Sequence, residues 1–346
     1  MLINLFKQAF FKNAVNLKRL ARGIALGAAT AGLLAMAVQQ PAMADDSASV
    51  KGKKVIFLTV TEECEYCARH QRAFRKFAEE QGINLQVKIN NYDPAEQASQ
   101  VDQALAEHPD AIVIWPADAS AIIPSLRKIK AAGIPLVITN SLPDEKYAKY
   151  WDAYTGPDDK GMGVSAGQAM IQGFKDKGMG DKGSIFMVIG VPGTPPQIRR
   201  QEGFTQTLAA NAPGIEIAGS QPGNWDQTKA TEAASALFTQ YGSKIKGVYA
   251  QADNMMAGVI VAAKRAGIDP TKLVLVGGNC SIEGVNAIEA GTQYASVLQS
   301  PVQDGQYAVE ALVALLEHKK VDSVRFLPQF VVTKANIQEC YSAVGR

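Results

Sequence analysis

The residues with the most reactive chemistry in this 346-residue sequence are Cys64-Glu65-Tyr66-Cys67. Two thiols at this spacing can cycle between thiol and disulfide, and a thiolate that opens a helix is stabilised by the helix N-terminus. The run follows an apolar segment at 55–60 and leads into a helical pattern, the placement that redox chemistry needs. The same spacing serves equally well as a structural bridge in an oxidising compartment, although so short a loop adds only modest stability. Cys280 and Cys340 could form a second bridge. Gly163-Val164-Ser165-Ala166-Gly167 matches the G-x-S-x-G hydrolase pattern. A nucleophile elbow requires a strand directly before it, whereas Gly156-Pro157-Asp158-Asp159-Lys160 reads as a loop. These small residues are expected instead to let a helix pack closely on a sheet. Gly161-x-Gly163 fails as a dinucleotide fingerprint for the same reason. His70, His108 and His318 are far apart and share no ligand spacing, so neither a metal site nor a cofactor is expected.

The remaining chemistry is polar and recurs at fixed places. Short β-branched apolar runs at 55–60, 85–89, 111–115 and 136–139 alternate with helical patterns at 66–80, after Asp93-Pro94, and at 122–132. The rhythm repeats, with strands at 184–189, 215–218, 247–250 and 273–276 and helices at 162–175, 198–210, 227–240, 255–267 and 282–291. Such alternation predicts parallel sheets with helices on both faces. It predicts two similar α/β halves, and no long Ser/Gly/Pro linker separates them. In open parallel sheets ligands bind beyond the carboxyl ends of the strands. The exits here carry Thr61-Glu62-Glu63, Asn90-Asn91-Tyr92, Pro116-Ala117-Asp118, Asn140-Ser141, Gln251-Ala252-Asp253-Asn254 and Gly278-Asn279-Cys280. Asn, Asp and Gly favour turns in any protein, but their concentration at the exits of both halves points to a cleft between two lobes. The acids Glu62, Glu63 and Glu65 read as solvated loop charge at its mouth.

Composition bounds the setting. Residues 1–44 carry five bases and no acid, a 16-residue apolar stretch, and Ala42-Met43-Ala44. That is the pattern of a secretory signal peptide cleaved near Ala44. The stretch is shorter than the ~20 residues that span a bilayer, and no cysteine stands near the site to take a lipid. The expectation is release into the periplasm. The remainder holds 30 basic and 33 acidic residues, a balance that gives no support to nucleic-acid binding.

The order of segments resembles periplasmic binding proteins of the ribose-binding type, the type I fold, from about Lys53 to Lys334. The resemblance is carried by residues 131–140, by Arg200-Gln201-Glu202-Gly203-Phe204, by residues 248–258, and by Leu298-Gln299-Ser300-Pro301. It implies two doubly wound parallel-sheet lobes joined by a three-crossing hinge. The lobes would be 53–157 with 300–328, and 158–299 with 329–346. It implies ligand contacts at Cys64, Tyr66, Cys67, Asn140, Asp158, Arg200, Trp225, Asp253 beside Ala252, Asn279 and Gln299. Amides both donate and accept for hydroxyl groups, Arg200 offers a rigid charged donor set, and Tyr66 and Trp225 offer flat faces. For Trp225 a core role, and for Arg200 a surface ion pair beside Glu202, are the plainer alternatives. The pattern's aromatic pair is here Tyr66 and Cys67. Its Asp-Arg is here Asn140-Ser141, its further Asp is Asn279, and its Asn is Ala252. The loss of a cation and two carboxylates predicts a more neutral site that disfavours free ribose. The implied function is capture, without catalysis, of a sugar, polyol or sugar derivative for the membrane subunits of an ABC importer. A chemoreceptor is a second expected partner, and the protein is expected to be a monomer. Transcriptional repressors of this fold carry an N-terminal helix-turn-helix where this chain has a leader. The alternatives are a thiol–disulfide oxidoreductase using Cys64 and Cys67, or a binder of a small non-sugar acid.

Overall fold

Four-residue to seven-residue apolar runs separated by amphipathic helices fold here as two stacked repeats of one design. The computed structural model describes residues 49–346, so the signal peptide expected at 1–44 lies outside the described residues. The predicted runs become β1 (Lys54–Thr59), β2 (Asn84–Ile89), β3 (Ala111–Ile114) and β4 (Leu136–Thr139). To these the fold adds β5 (Ala153–Gly156). The helices between them are α1 (Glu65–Glu80), α2 (Pro94–Ala106) and α3 (Ile123–Ala131). The second series runs α4 (Asp159–Asp176), β6 (Gly183–Ile189), α5 (Pro195–Asn211), β7 (Ile215–Pro222), α6 (Gln227–Tyr241) and β8 (Ile245–Ala250). It continues through α7 (Asp253–Arg265), β9 (Val274–Asn279), α8 (Ile282–Glu289), β10 (Ala295–Leu298) and α9 (Pro301–Leu316). The chain ends with β11 (Val324–Phe326), β12 (Val331–Val332) and α10 (Tyr341–Val344).

The first sheet has the order β11-β5-β4-β3-β1-β2 and is parallel throughout. The second has the order β12-β10-β9-β8-β6-β7, with β12 antiparallel at its edge. The chain passes from first sheet to second after β5, back after β10, and across again between β11 and β12. These are the three crossings that the resemblance implied. Helices cover both faces because β1, β3 and β4 are buried on both: Ile56, Leu58 and Ile112 pack to one side, Val55, Phe57 and Val113 to the other. The second sheet is layered likewise around Phe186, Val188 and Val248 on one face and Ile185, Met187 and Tyr249 on the other. Among the described residues no helix is long and apolar enough to cross a membrane.

Helix contacts without side chains bring key residues together. A Cβ on Gly163 in α4 would collide with the backbone oxygen of Arg200 in α5, and one on Gly203 would collide with that of Lys160. The small residues of the G-x-S-x-G segment thus pack mainly against a neighbouring helix rather than the expected sheet. This close approach sets Arg200 against the first turn of α4.

Candidate functional site

A cavity opens at the carboxyl ends of both sheets, between the first-sheet loops and those of the second. Its wall contains Cys64, Tyr66, Cys67, Tyr92, Trp115 and Asn140 from one side, and Arg200, Trp225, Asn254 and Asn279 from the other. Gln299, at the second crossing, completes it. Water centres have about 60 Å³ of space. At the ~10–15 Å³ that one water needs on that measure, this is room for roughly four to six waters, about the volume of a small monosaccharide at ~30 Å³ each.

The backbone aims these side chains. Tyr92, Asn140, Trp225, Asn279 and Cys280 all have positive φ, between 50° and 90°. Bulky residues rarely adopt that conformation, which concentrates at functional turns. The Trp225 ring lies on Gly190, where a Cβ would overlap it, and the Asn254 amide donates to the Trp225 carbonyl at 2.7 Å. Tyr66 meets Trp115 edge to face at 6.2 Å between centroids.

Arg200 is 3% exposed, and it is not a surface ion pair. Its Nε donates to Asp159 Oδ1 at 2.8 Å. Nη1 donates to the Gln251 carbonyl at 2.9 Å and to Asn279 Oδ1 at 3.2 Å, and Nη2 donates to Gln299 Oε1 at 2.7 Å. The guanidinium therefore fixes two amides with their oxygens turned towards it, leaving the Asn279 and Gln299 N–H groups to donate elsewhere. Its centre sits 5.5 Å from the Trp225 ring centroid. Burial raises the Asp159 pKa, against the lowering effect of Arg200.

On the opposite wall a carboxylate stands behind the lining. Asp304, fully buried in the first turn of α9, accepts from Tyr66 OH at 2.8 Å and Asn140 Nδ2 at 2.7 Å. Burial pushes its pKa up to about 7, against the lowering effect of those two donors. His70, beside it, bonds Thr139 Oγ1 at 3.0 Å, and burial lowers its pKa to about 3, so the ring is neutral.

Two predicted contacts fall outside the cavity. Asp158 caps α4 by accepting from Gly161 N at 2.9 Å, and its backbone is held by both ends of the Gln329 amide. It clamps two of the crossings, and the next residue, Asp159, turns inward to Arg200 instead. Asp253 is buried behind the second sheet's loops. It accepts from Ser296 Oγ and Gln293 Nε2, both at 2.7 Å, and from Ser281 N at 3.1 Å. It supports the 279–281 loop and does not line the cavity. The expected neutrality of the site also needs revision, because Asp159 and Asp304 place carboxylates directly behind its wall.

Cys64 and Cys67 form a disulfide in the wall, with Cys67 Sγ 3.5 Å from Tyr92 OH. Cys280 and Cys340 form another, which ties the loop after β9 to the C-terminal segment. Of the mouth acids, Glu62 and Glu63 are exposed, whereas Glu65 lines the cavity and pairs with Arg69 at 3.1 Å. Among the described residues no cluster of side chains could hold a metal ion. Tyr92 and Asn254 were legible as strand exits, and Trp115 as the end of a predicted strand. Asp304 gave no signal, since an acid in the first turn of a helix is the usual complement of the helix N-terminus.

Comparison with known proteins decides the family. Residues 55–320 match the model of the periplasmic binding protein domain. The chain belongs to the periplasmic binding protein family. A xylitol-binding protein of Mycolicibacterium smegmatis is 30% identical over 85% of this chain and 81% of its own. A galactofuranose-binding protein of Escherichia coli K12 is 29% identical over 76% of this chain and 81% of its own. The crystal structure of a galactofuranose-binding protein superimposes with a TM-score of 0.77 at 25% identity, covering 83% of this chain and 97% of that one. In this periplasmic binding protein, as in its relatives, the work is capture of a solute and not catalysis.

Proposed function

We propose that this periplasmic binding protein captures a neutral sugar, polyol or sugar derivative and delivers it to the membrane subunits of an ABC importer. One observation carries the ligand class. The charged residues in the cavity wall are Glu65, Arg69 and Arg200, and both cations are already held by carboxylates, Arg69 by Glu65 and Arg200 by Asp159. Four N–H donations of the Arg200 guanidinium are spent inside the protein. A carboxylic-acid ligand would have to compete with those partners, whereas hydroxyl groups need only the free ends of Asn140, Asn254, Asn279 and Gln299. The aromatic faces suit the C–H side of a ring or carbon chain. Xylitol and galactofuranose, named for the relatives, are both neutral polyhydroxy compounds.

The lobes in this reading are 53–157 with 300–328, and 158–299 with 329–346. They close on the ligand by hinge motion, burying it and presenting one docking shape. Contacts already span the cleft: Arg199 Nη2 donates to the Pro143 carbonyl at 2.9 Å and Arg69 Nη1 to the Ala343 carbonyl at 3.0 Å. The protein acts as a monomer after removal of residues 1–44, and a chemoreceptor reading the same closed shape is a further partner. Asn140, Arg200, Trp225, Asn279 and Gln299, with Tyr66 and the Cys64–Cys67 bridge, form the contact set.

A thermal-shift panel of xylitol, D-galactose, D-ribose, myo-inositol and small carboxylic acids tests this. A ligand at 1,000 times its Kd stabilises by about 4 kcal/mol, a shift of several degrees. Stabilisation by a neutral polyol or sugar other than ribose is expected. Stabilisation by the acids alone would overturn the ligand class, and tight binding of ribose would overturn its preference.

A further inference from the structure

Asn140 and Tyr66 face the cavity, and their shortest side-chain hydrogen bonds reach a residue outside its wall. Both are anchored by one oxygen of Asp304, at 2.7 and 2.8 Å. Asp304 reaches them from α9, on the far side of the second crossing, and is itself fully buried and absent from the cavity wall. The bond to Asp304 fixes one N–H of Asn140 Nδ2 and with it the orientation of the amide, whose oxygen, 3.5 Å from Ser141 Oγ, keeps a lone pair as acceptor for a ligand hydroxyl. The Tyr66 hydroxyl is likewise tied back, which holds its ring edge against Trp115.

We propose that Asp304 is a positioning residue that sets the acceptor pattern of the Asn140 and Tyr66 wall, and that its protonation releases the ligand. Charge-assisted hydrogen bonds are about twice as strong as neutral ones, so neutralising Asp304 loosens both anchors at once. Oδ2 holds both anchors, so the proton goes to Oδ1, which faces Thr139 Oγ1 at 3.5 Å and His70 Nε2 at 3.9 Å, and Oδ2 is left as a neutral, weaker acceptor for Tyr66 and Asn140.

The surroundings support titration in a useful range. From α1, His70 approaches Asp304 to 3.9 Å but is neutral, so it supplies no compensating charge. From β4 and its exit come the neutral Thr139 and Asn140, with Thr139 Oγ1 at 3.5 Å. From α1 comes Tyr66, whose own pKa is raised well above the usual value by burial and then by Asp304. From β5 comes Tyr154, which donates to the Asn140 and Pro157 carbonyls and whose pKa burial also raises. From α4 the charge of Asp159 opposes ionisation, and the nearby cation, Arg200, is bonded to Asp159. Burial then leaves Asp304 with a pKa of about 7.

This inference rests on the proposed sugar-binding reading, and its test keeps the two apart. The protein is produced from the full chain and purified from the periplasm, wild type and Asp304→Asn. Infrared difference spectra are recorded from pH 5.5 to 8, and affinities for xylitol, D-galactose and myo-inositol are measured by calorimetry at both ends. Asn is isosteric and removes a buried charge, so this variant should keep its fold, which its melting temperature checks. For the wild type, a buried carboxylic-acid C=O band should grow in near neutrality with contributions from Asp304 and Asp253, and the variant should lose the Asp304 part of it and keep the Asp253 part. The affinity should weaken on acidification by at least about fivefold, towards the roughly 30-fold limit set by the deprotonated fraction at pH 5.5. The variant should bind weakly at both pH values, with a flat profile. Equal pH slopes in the two proteins, or no Asp304-dependent band near neutrality, would overturn the proposal. If none of the three compounds binds, the sugar reading fails, and the infrared titration alone then decides for or against Asp304.

Discussion

Arg200 shows what one side chain does when its partners lie on different elements. It links α4 through Asp159, the β8 exit through Gln251, the β9 exit through Asn279 and the second crossing through Gln299. Arg200→Ala is expected to lower stability by about 3–5 kcal/mol, since it leaves Asp159 buried without a counter-charge. Urea denaturation would measure this. The paired change Arg200→Met with Asp159→Leu should recover much of that stability and none of the ligand affinity. If the pair recovered binding too, Arg200 would not orient the site. Trp225→Ala should reduce affinity by roughly tenfold or more while leaving the fold intact, through loss of an aromatic face worth about 1.5 kcal/mol; calorimetry reads it. Arg200 and Trp225 were legible from their types beside the strand exits. Asp159 was missed by one position, because only the turn geometry shows which of two adjacent aspartates caps the helix and which points inward. Asp253 was misread because a polar residue at a strand exit can support a loop from behind as readily as line it.

The helix pair α4–α5 carries that chemistry at the scale of elements. Gly163 and Gly203 let two backbones touch, so Arg200 meets Asp159 at 2.8 Å. Gly203→Ala is expected to force the helices apart, costing about 1–3 kcal/mol as overpacking does. It should weaken ligand binding as well, although residue 203 does not line the cavity. Unchanged binding in a destabilised protein would separate the packing from the site. The Cys280–Cys340 bridge closes a loop of 60 residues. Replacing both with Ser should lower stability by about 2–4 kcal/mol, and thiol titration of the unfolded wild type should find no free thiol. The strands at the centres of the sheets were legible because they are buried on both faces and read as continuous apolar runs. β11 and β12 escaped notice because they are only three and two residues long, and β5 (Ala-Tyr-Thr-Gly) and β10 (Ala-Ser-Val-Leu) because polar and small residues break their apolar runs, so that tertiary pairing rather than pattern makes them strands. The glycines of α4 were recognised as packing residues, but the sequence alone does not show which neighbour they face.

For the molecule as a whole, two deeply buried carboxylates give stability an unusual pH dependence. Asp253 and Asp304 both have pKa values pushed up to about 7 by burial. In the unfolded chain they titrate near ~3.9. Between about pH 4 and 7 these two groups hold more protons in the folded state than in the unfolded one, outweighing the single proton that buried, neutral His70 forgoes below about 6.5, and stability falls as pH rises through that window. The melting temperature without ligand should be higher at pH 5.5 than at pH 8, and Asp304→Asn should flatten part of the difference. A melting temperature that rises with pH across this range would contradict those burial effects. Ligand affinity should move the opposite way, weakening as pH falls, so the two effects are separable in one sample. The most direct test of the central claim is a fluorescence titration of the periplasmic protein at pH 8. Trp115 and Trp225 both stand in the cavity wall and report on its occupancy. A saturable change in emission with xylitol or another neutral polyol or sugar, and none with small carboxylic acids, is the expected result. Saturation by the acids alone would contradict the account.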